Sequence, residues 1–313
     1  MKVVFLGSGA FGLPTLEHLA RTHQVTGVVT QPDRPAGRGG KVTPTPVGAW
    51  AEAHLAGTPL LKPERINTPL DTDALRALEA DAWVVIAFGQ KLGKALLAER
   101  FAINLHASLL PKWRGAAPIN AAILAGDLRT GNSVITLADR MDAGLILGAS
   151  ERVIEPTATA GELHDLLASD GPALVERVLQ SHVSGTLVPT VQEEPLVTLA
   201  PKLSRADAWV DFTQHADDCR RRINGLSPWP GVTVEFRGQP LKLLRAGSAG
   251  DVALGPPGSI IDPLRGVVRC AAGTGLTLLE VQPAGRKPCS WRDFANGQRL
   301  GPEELLRGGR PKC

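Results

Sequence analysis

Two polar residues interrupt an otherwise apolar run near the middle of the chain. Asn104 and His106 sit two apart in Phe101–Ala107 (FAINLHA). On a strand, residues two apart share a face, so the amide and the imidazole project the same way. Burying both is costly unless they are hydrogen-bonded or put to use. Farther along, Asp142 stands beside Ala143-Gly144, after a second strand-like run, Ser133–Leu137. An Asn N–H and a protonated His can donate to an oxyanion. A carboxylate at a neighbouring strand end can take a proton from an attacking amine, directly or through water. The three residue types suit acyl transfer without a covalent enzyme intermediate. Ser108 lies close by, but no GxSxG elbow surrounds it, which argues against a serine nucleophile.

These residues need a scaffold, and the flanking sequence supplies one. Lys2–Leu6 (KVVFL) and Val25–Thr30 (VTGVVT) are β-branched runs that read as buried strands, with a helix over Pro14–Thr22 between them. A strand–helix–strand opening predicts a βαβ unit and a parallel sheet. Gly7-Ser8-Gly9-Ala10-Phe11-Gly12 fills the turn with a GxGxxG pattern. The second strand ends Thr30-Gln31-Pro32, without the acidic residue that would hold a dinucleotide ribose. The glycines are therefore expected to serve tight turning and helix packing. Ala82–Phe88 (AWVVIAF) is a third strand, ended by Gly89. Helices are expected over Trp50–Leu55, over Ala74–Leu78 with Asp71 or Thr72 as cap, and from Asn120 to Leu124. A further helix over Gly161–Leu179 would present Leu163, Leu166, Leu167, Leu174, Val175 and Val178, with a break at Gly171-Pro172.

Residues 31–48 (QPDRPAGRGGKVTPTPVG) form a long loop carrying Arg34, Arg38 and Lys41. An exposed, positive loop of this length suits phosphate contact. Residues 190–208 lack periodicity and read as a linker. Beyond residue 209 come short alternating segments, Val232–Phe236, Leu241–Leu244, Gly258–Ile261, Gly266–Ala271 and Leu276–Val281, after one helix at Ala216–Ile223. Five such strands predict a small barrel or sandwich. Two domains follow, 1–189 and 209–313.

Composition narrows the class. At 313 residues, with 43% hydrophobic and 21% charged, the chain has the balance of a globular protein. No apolar run reaches the roughly 18 residues of a membrane helix. The start, MKVVFLGSGAFG, reads as a first strand rather than a signal peptide, so a cytoplasmic location is expected. The four cysteines, Cys219, Cys270, Cys289 and Cys313, form no CxxC pair, and no metal site is expected. Residues 206–313 hold 15 Lys+Arg against 11 Asp+Glu, a mild basic excess compatible with a nucleic-acid partner.

The run Asn104–Pro111 (NLHASLLP), followed by Arg114–Pro118 (RGAAP) and Met141–Gly144 (MDAG), resembles the signature of the folate-dependent formyltransferases. The likeness extends over nearly the whole chain, through Val3–Pro14 and Ala87–Gln90. Thr30–Gly39 (TQPDRPAGRG), Ser227–Gly231 (SPWPG) and Leu278–Pro288 (LLEVQPAGRKP) are most similar to the branch that works on initiator tRNA. The resemblance implies a Rossmann-like parallel-sheet formyltransferase domain followed by a small OB-like β-barrel. It implies a catalytic trio of Asn104, His106 and Asp142, with Asn104 and His106 on the oxyanion and Asp142 orienting and charging His106. Ser108, Leu109, Leu110 and Pro111 would line the folate site, and Phe88, Gly89 and Gln90 would offer backbone groups to the pterin. Arg34, Arg38 and Lys41 would contact the tRNA acceptor arm. The donor would be 10-formyltetrahydrofolate and the acceptor initiator Met-tRNA, with the enzyme a monomer. An amino-sugar nucleotide is the alternative acceptor, which would need the trio but not the basic loop. Two departures stand out: the second acidic residue usual near the catalytic acid is absent from Met141–Gly148, and Phe88 replaces a common tyrosine.

Overall fold

The β-branched and aromatic runs near the N-terminus become buried strands because both faces of their sheet are covered. The computed structural model describes residues 1–36, 39–301 and 304–309. It divides into two units: Met1–Arg114, Gly131–Arg152 and His164–Thr198 make the first, and Gly115–Thr130, Val153–Leu163 and the chain from Leu199 onward make the second.

The first unit contains β1 (Lys2–Gly7), β2 (Gln24–Val29), β3 (Arg34–Ala36), β4 (Lys41–Thr43), β5 (Leu60–Leu61), β6 (Ala82–Ile86) and β7 (Ala102–His106). With β8 (Arg129–Thr136) and β9 (Ile146–Val153), seven of these form a sheet ordered β9-β8-β7-β6-β1-β2-β5. Five strands, β7, β6, β1, β2 and β5, run parallel. β8 runs antiparallel to β7, so the sheet is mixed at that edge rather than wholly parallel. The strand order reverses at β1, which has β2 on one side and β6 on the other. Open α/β sheets bind ligands at the carboxyl ends of the strands flanking such a switch point.

Side-chain alternation fixes which way the polar pair points. Ala102 packs with Val4, Leu6, Trp83, Val85 and Phe88 on one face of the sheet. Asn104 pairs in register with Val85 and projects to that same face, as does His106. Ile103 and Leu105 are buried on the other face.

Helix Ala160–Val183 runs unbroken through Pro172, contrary to the expected stop at Gly171-Pro172. Gly171 lies against Leu105, where a Cβ would come within 2.7 Å of the leucine methyl, so the glycine is set by close packing on the sheet and does not mark a helix end. Leu163, Leu167, Leu174, Val175, Val178 and Leu179 are buried, whereas Leu166 falls off the stripe and is 41% exposed. Two shorter helices also start earlier than expected. Pro46–His54 is capped by Thr45, and Pro69–Arg76 by Thr68 rather than Asp71 or Thr72. Each cap is a Thr followed by Pro, whose missing N–H costs nothing at the first helical position.

The second unit is built on β10 (Val232–Phe236), β11 (Gln239–Asp251), β12 (Ser259–Asp262), β13 (Val267–Arg269), β14 (Thr274–Pro283), β15 (Cys289–Ser290) and β16 (Glu304–Arg307). Six of them close a ring, β11-β10-β16-β12-β13-β14, because β14 also pairs with β11. The result is an antiparallel barrel of OB-like form. Val232, Val234 and Phe236 alternate inward and pack with Leu243, Ile260, Val268 and Leu278. Helices Ala216–Gly225 and Trp291–Gln298 add Cys219, Ile223, Trp291 and Phe294 to this core. Among the described residues no helix is long and apolar enough to cross a membrane.

Candidate active site

At the carboxyl end of β7 the His106 ring is held on both sides. Its Nε2 lies 2.9 Å from the Trp113 carbonyl. A carbonyl only accepts, so this nitrogen carries a proton. Nδ1 faces Asp142 Oδ2 at 3.7 Å, and both side chains are largely buried. That distance is an ionic contact rather than a hydrogen bond, and it leaves the Nδ1 edge able to meet a third atom. Asn104 is half-buried on the same face, and its amide makes no hydrogen bond among the described residues.

The loop after β7 is fixed by its own polar atoms. Ser108 is fully buried, and its hydroxyl donates to the Lys112 carbonyl at 2.6 Å. The Ser108 carbonyl accepts from Ser133 Oγ at 2.8 Å, and that hydroxyl accepts from the Leu110 N–H at 3.1 Å. Ser108 thus shapes the loop and is neither free to attack nor open to a ligand. Leu110 is buried, while Leu109 and Pro111 are half-buried.

The end of β6 offers main chain rather than side chains. Phe88 is in the core, and its carbonyl accepts from Ser8 Oγ and Gln31 Nε2, each at 3.1 Å. The Gln90 amide is tied at both ends, accepting from Ile66 N at 2.8 Å and donating to the Pro63 carbonyl at 3.0 Å. Ala87 and Gly89 are exposed with left-handed φ values of 48° and 88°. Two of the GxGxxG glycines, Gly7 and Gly12, act as packing residues. A Cβ on Gly7 would lie 2.8 Å from the Ile86 carbonyl, and one on Gly12 would lie 3.0 Å from the Phe5 ring.

Asp142 stands in a tight turn at φ 53°. Gly144 is obligatory there, since a Cβ would fall 1.7 Å from the Thr136 carbonyl. The turn is held by a residue the sequence did not single out. Gln192, only 6% exposed, donates from Nε2 to the carbonyls of Asp142 and Gly144, both at 2.7 Å. Its Oε1 accepts from Arg114 Nε at 2.9 Å. Arg114, also 6% exposed, pairs with Glu194 at 3.1 Å, and Arg140 reaches the same carboxylate at 2.7 Å. Hydrogen bonds from Arg140 and Arg114 hold the Glu194 carboxyl below the usual glutamate range. Thr198 accepts from the Trp113 N–H through its hydroxyl and from the Arg114 N–H through its carbonyl, each at 2.9 Å. The stretch read as a linker therefore braces the site. Its isolated polar residues have no period to read.

Part of the basic loop is strand. Arg34–Ala36 and Lys41–Thr43 pair as an antiparallel hairpin. Arg34 is exposed but engaged with Glu64 at 2.7 Å, and Lys41 is exposed. At the hairpin's base Asp33 pairs with Lys62, which also reaches Glu52, both at 2.8 Å. Arg38 lies outside the described residues. Among the described residues no cluster of His, Cys, Asp and Glu could hold a metal ion.

Residues 1–179 match the formyl transferase family, and residues 202–299 match the formyl transferase C-terminal domain. The methionyl-tRNA formyltransferase of Methylococcus capsulatus is 40% identical over 309 residues, covering 97% of this chain and 99% of that protein. The methionyl-tRNA formyltransferase of Bacillus licheniformis is 39% identical over 304 residues, covering 96% of each. The fold is that of HypX from Aquifex aeolicus, solved in complex with tetrahydrofolic acid, at a TM-score of 0.64 and 15% identity. That likeness covers 97% of this chain but only 48% of HypX. The N-formyltransferase from Helicobacter canadensis, in complex with folinic acid and dTDP-3-aminofucose, superposes at a TM-score of 0.69 with 14% identity, over 90% of this chain and 99% of that one. The chain belongs to the formyl transferase family.

Proposed function

We propose that this formyl transferase moves the formyl group of 10-formyltetrahydrofolate to the α-amino group of methionine on initiator tRNA. The observation that supports the chemistry is the His106–Asp142 contact at 3.7 Å, at the end of the strand whose same face carries Asn104. The acceptor is supported by methionyl-tRNA formyltransferases that align with this chain from end to end, barrel included.

The bound donor supplies an electrophilic N-formyl carbon. The site fits such a group on two counts: an Asn104 amide without a hydrogen-bond partner among the described residues, and exposed main chain at Ala87 and Gly89 beside the switch point. Leu109, Leu110 and Pro111 offer apolar surface to the folate, and the main chain of 88–90 offers polar groups to its pterin. Ser108 contributes by holding the loop and not by contact.

As the amine nitrogen bonds to the formyl carbon, the carbonyl π electrons move onto oxygen. Asn104 N–H donates to that oxygen, and so does His106 Nδ1–H, because Nε2–H is already committed to Trp113. While ionised, Asp142 favours a charged His106 3.7 Å away, and it then takes the proton lost by the amine, directly or through water. The bond from the formyl carbon to the folate nitrogen then breaks, and that nitrogen takes up the proton that Asp142 had accepted, directly or through water. Residues 1–189 carry this chemistry, braced by Gln192–Thr198. Residues 209–313 bind tRNA through their basic surface, and Arg34, Arg38 and Lys41 contact its acceptor arm.

The test is acceptor choice. With 10-formyltetrahydrofolate as donor, Met-charged initiator tRNA should yield formyl-methionine, and a dTDP-linked amino sugar should yield no formylated product. Transfer to the sugar alone would replace the tRNA acceptor while leaving the trio in place.

A further inference from the structure

Both members of the His106–Asp142 pair depend on two consecutive residues. The Trp113 carbonyl fixes His106 Nε2 at 2.9 Å. The next residue, Arg114, fixes Gln192 through Nε at 2.9 Å. Gln192 in turn places both amide hydrogens on the turn that carries Asp142, at 2.7 Å to the Asp142 carbonyl and 2.7 Å to the Gly144 carbonyl. The far side of that turn is fastened to β8, since Leu145 N donates to Thr136 Oγ1 and Thr136 N donates to the Leu145 carbonyl, each at 2.9 Å. Asp142 stays in the left-handed region, unusual for a residue with a side chain, inside this double clamp.

We propose that Gln192, oriented by Arg114, is a positioning residue that sets the Asp142 carboxylate against His106. The amide is the group suited to this task. Its NH2 satisfies two carbonyls at once while its oxygen accepts from a buried guanidinium, so all three contacts are made by one planar group. A carboxylate in its place keeps the Arg114 contact but cannot donate to either carbonyl. A leucine keeps the volume and loses all three contacts. Glu194, exposed and shared by Arg114 and Arg140, steadies Arg114 from the outside.

This inference rests on the catalytic assignment of His106 and Asp142, and its test separates the two. Gln192→Glu, Gln192→Leu and Glu194→Gln are compared with wild type and His106→Ala in formyl transfer to Met-tRNA. Active sites are counted by tetrahydrofolate titration. Misplacing a reacting group by about 1 Å costs about 100-fold in rate. Gln192→Glu and Gln192→Leu should therefore lose about 10- to 100-fold in kcat per folate-binding site, with each KM within about threefold of wild type. Their kcat–pH profile should shift, because the distance between the imidazole and the carboxylate has changed. Glu194→Gln, at the surface, should lose only a few-fold in kcat. Wild-type kcat per site and an unchanged pH profile in Gln192→Glu and Glu194→Gln would overturn the positioning role. If those variants kept activity while His106→Ala lost it, only this inference would fall. If His106→Ala kept activity, the catalytic assignment beneath it would fall instead.

Discussion

The barrel and the carboxyl edge of the β-sheet are held in shape by different means. In the barrel, alternate residues of short strands point inward, and Val232, Val234, Phe236, Leu243, Ile260 and Leu278 fill one core. At the sheet edge, single side chains bind main chain far away in sequence: Gln192 to Asp142 and Gly144, Thr198 to Trp113, Gln90 to Ile66 and Pro63. Apolar packing is non-directional and tolerates drift, whereas hydrogen bonds place an atom to within a few tenths of an ångström. A surface that binds a large ligand can be built the first way. Groups that must be placed to within a few tenths of an ångström need the second.

If this contrast holds, damage to the two regions should read out differently. The largest effect is expected for Asp142→Asn, which keeps the side chain's shape and removes its charge. Turnover should fall by about 100- to 10,000-fold with little change in thermal midpoint, checked by formyl transfer and calorimetry. Gly144→Ala should also lower turnover, but with a lower thermal midpoint as well, because its Cβ would fall 1.7 Å from the Thr136 carbonyl oxygen. In the barrel core, Leu243→Ala should cost about 2–5 kcal/mol of stability, seen as a lower denaturation midpoint. The fraction still folded should transfer formyl at the wild-type kcat. A barrel variant that lost kcat while fully folded would erase the distinction.

A smaller effect concerns pH. Burial works against the charge of Glu176, but hydrogen bonds from His23, His18 and Gln180 outweigh it and hold its carboxyl below the usual glutamate value. A depressed folded-state pKa gives stability that is present above the unfolded value and lost as pH falls through the folded one. Wild type should therefore lose thermal stability on acidification below about pH 4.5 more steeply than Glu176→Gln. Parallel curves for the two would show that the cluster carries no linkage. The smallest effect is expected for Lys41→Ala on the exposed hairpin. A lost phosphate contact should raise the tRNA KM a few-fold and reduce the salt slope of binding by about one.

The same contrast decides what the sequence could reveal. β1, β2 and β6 were legible because β-branched runs have few alternative fates. Asn104 and His106 were legible because they are polar where the pattern calls for apolar residues. The barrel strands were legible through alternation and turns. Glu304–Arg307 was not, because its four residues carry only two apolar side chains. Ile146–Val153 (ILGASERV) escaped as well. It is a sheet-edge strand with glycine and charges, and most of its side chains are half-buried or exposed. Gly171-Pro172 pointed to a helix break, but the helix runs through both, and Gly171 instead lies close against Leu105. Gln192 and Thr198 could not be found at all, because their importance lies in partners brought near only by the fold.

One measurement bears most directly on the account: formyl transfer to Met-charged initiator tRNA by wild type and His106→Ala, with tetrahydrofolate and tRNA binding measured on the same preparations. Loss of an oxyanion donor predicts a fall in turnover of about 100-fold or more with both binding constants near wild type. Turnover above half of wild type in His106→Ala would contradict the role assigned to the sheet-edge trio.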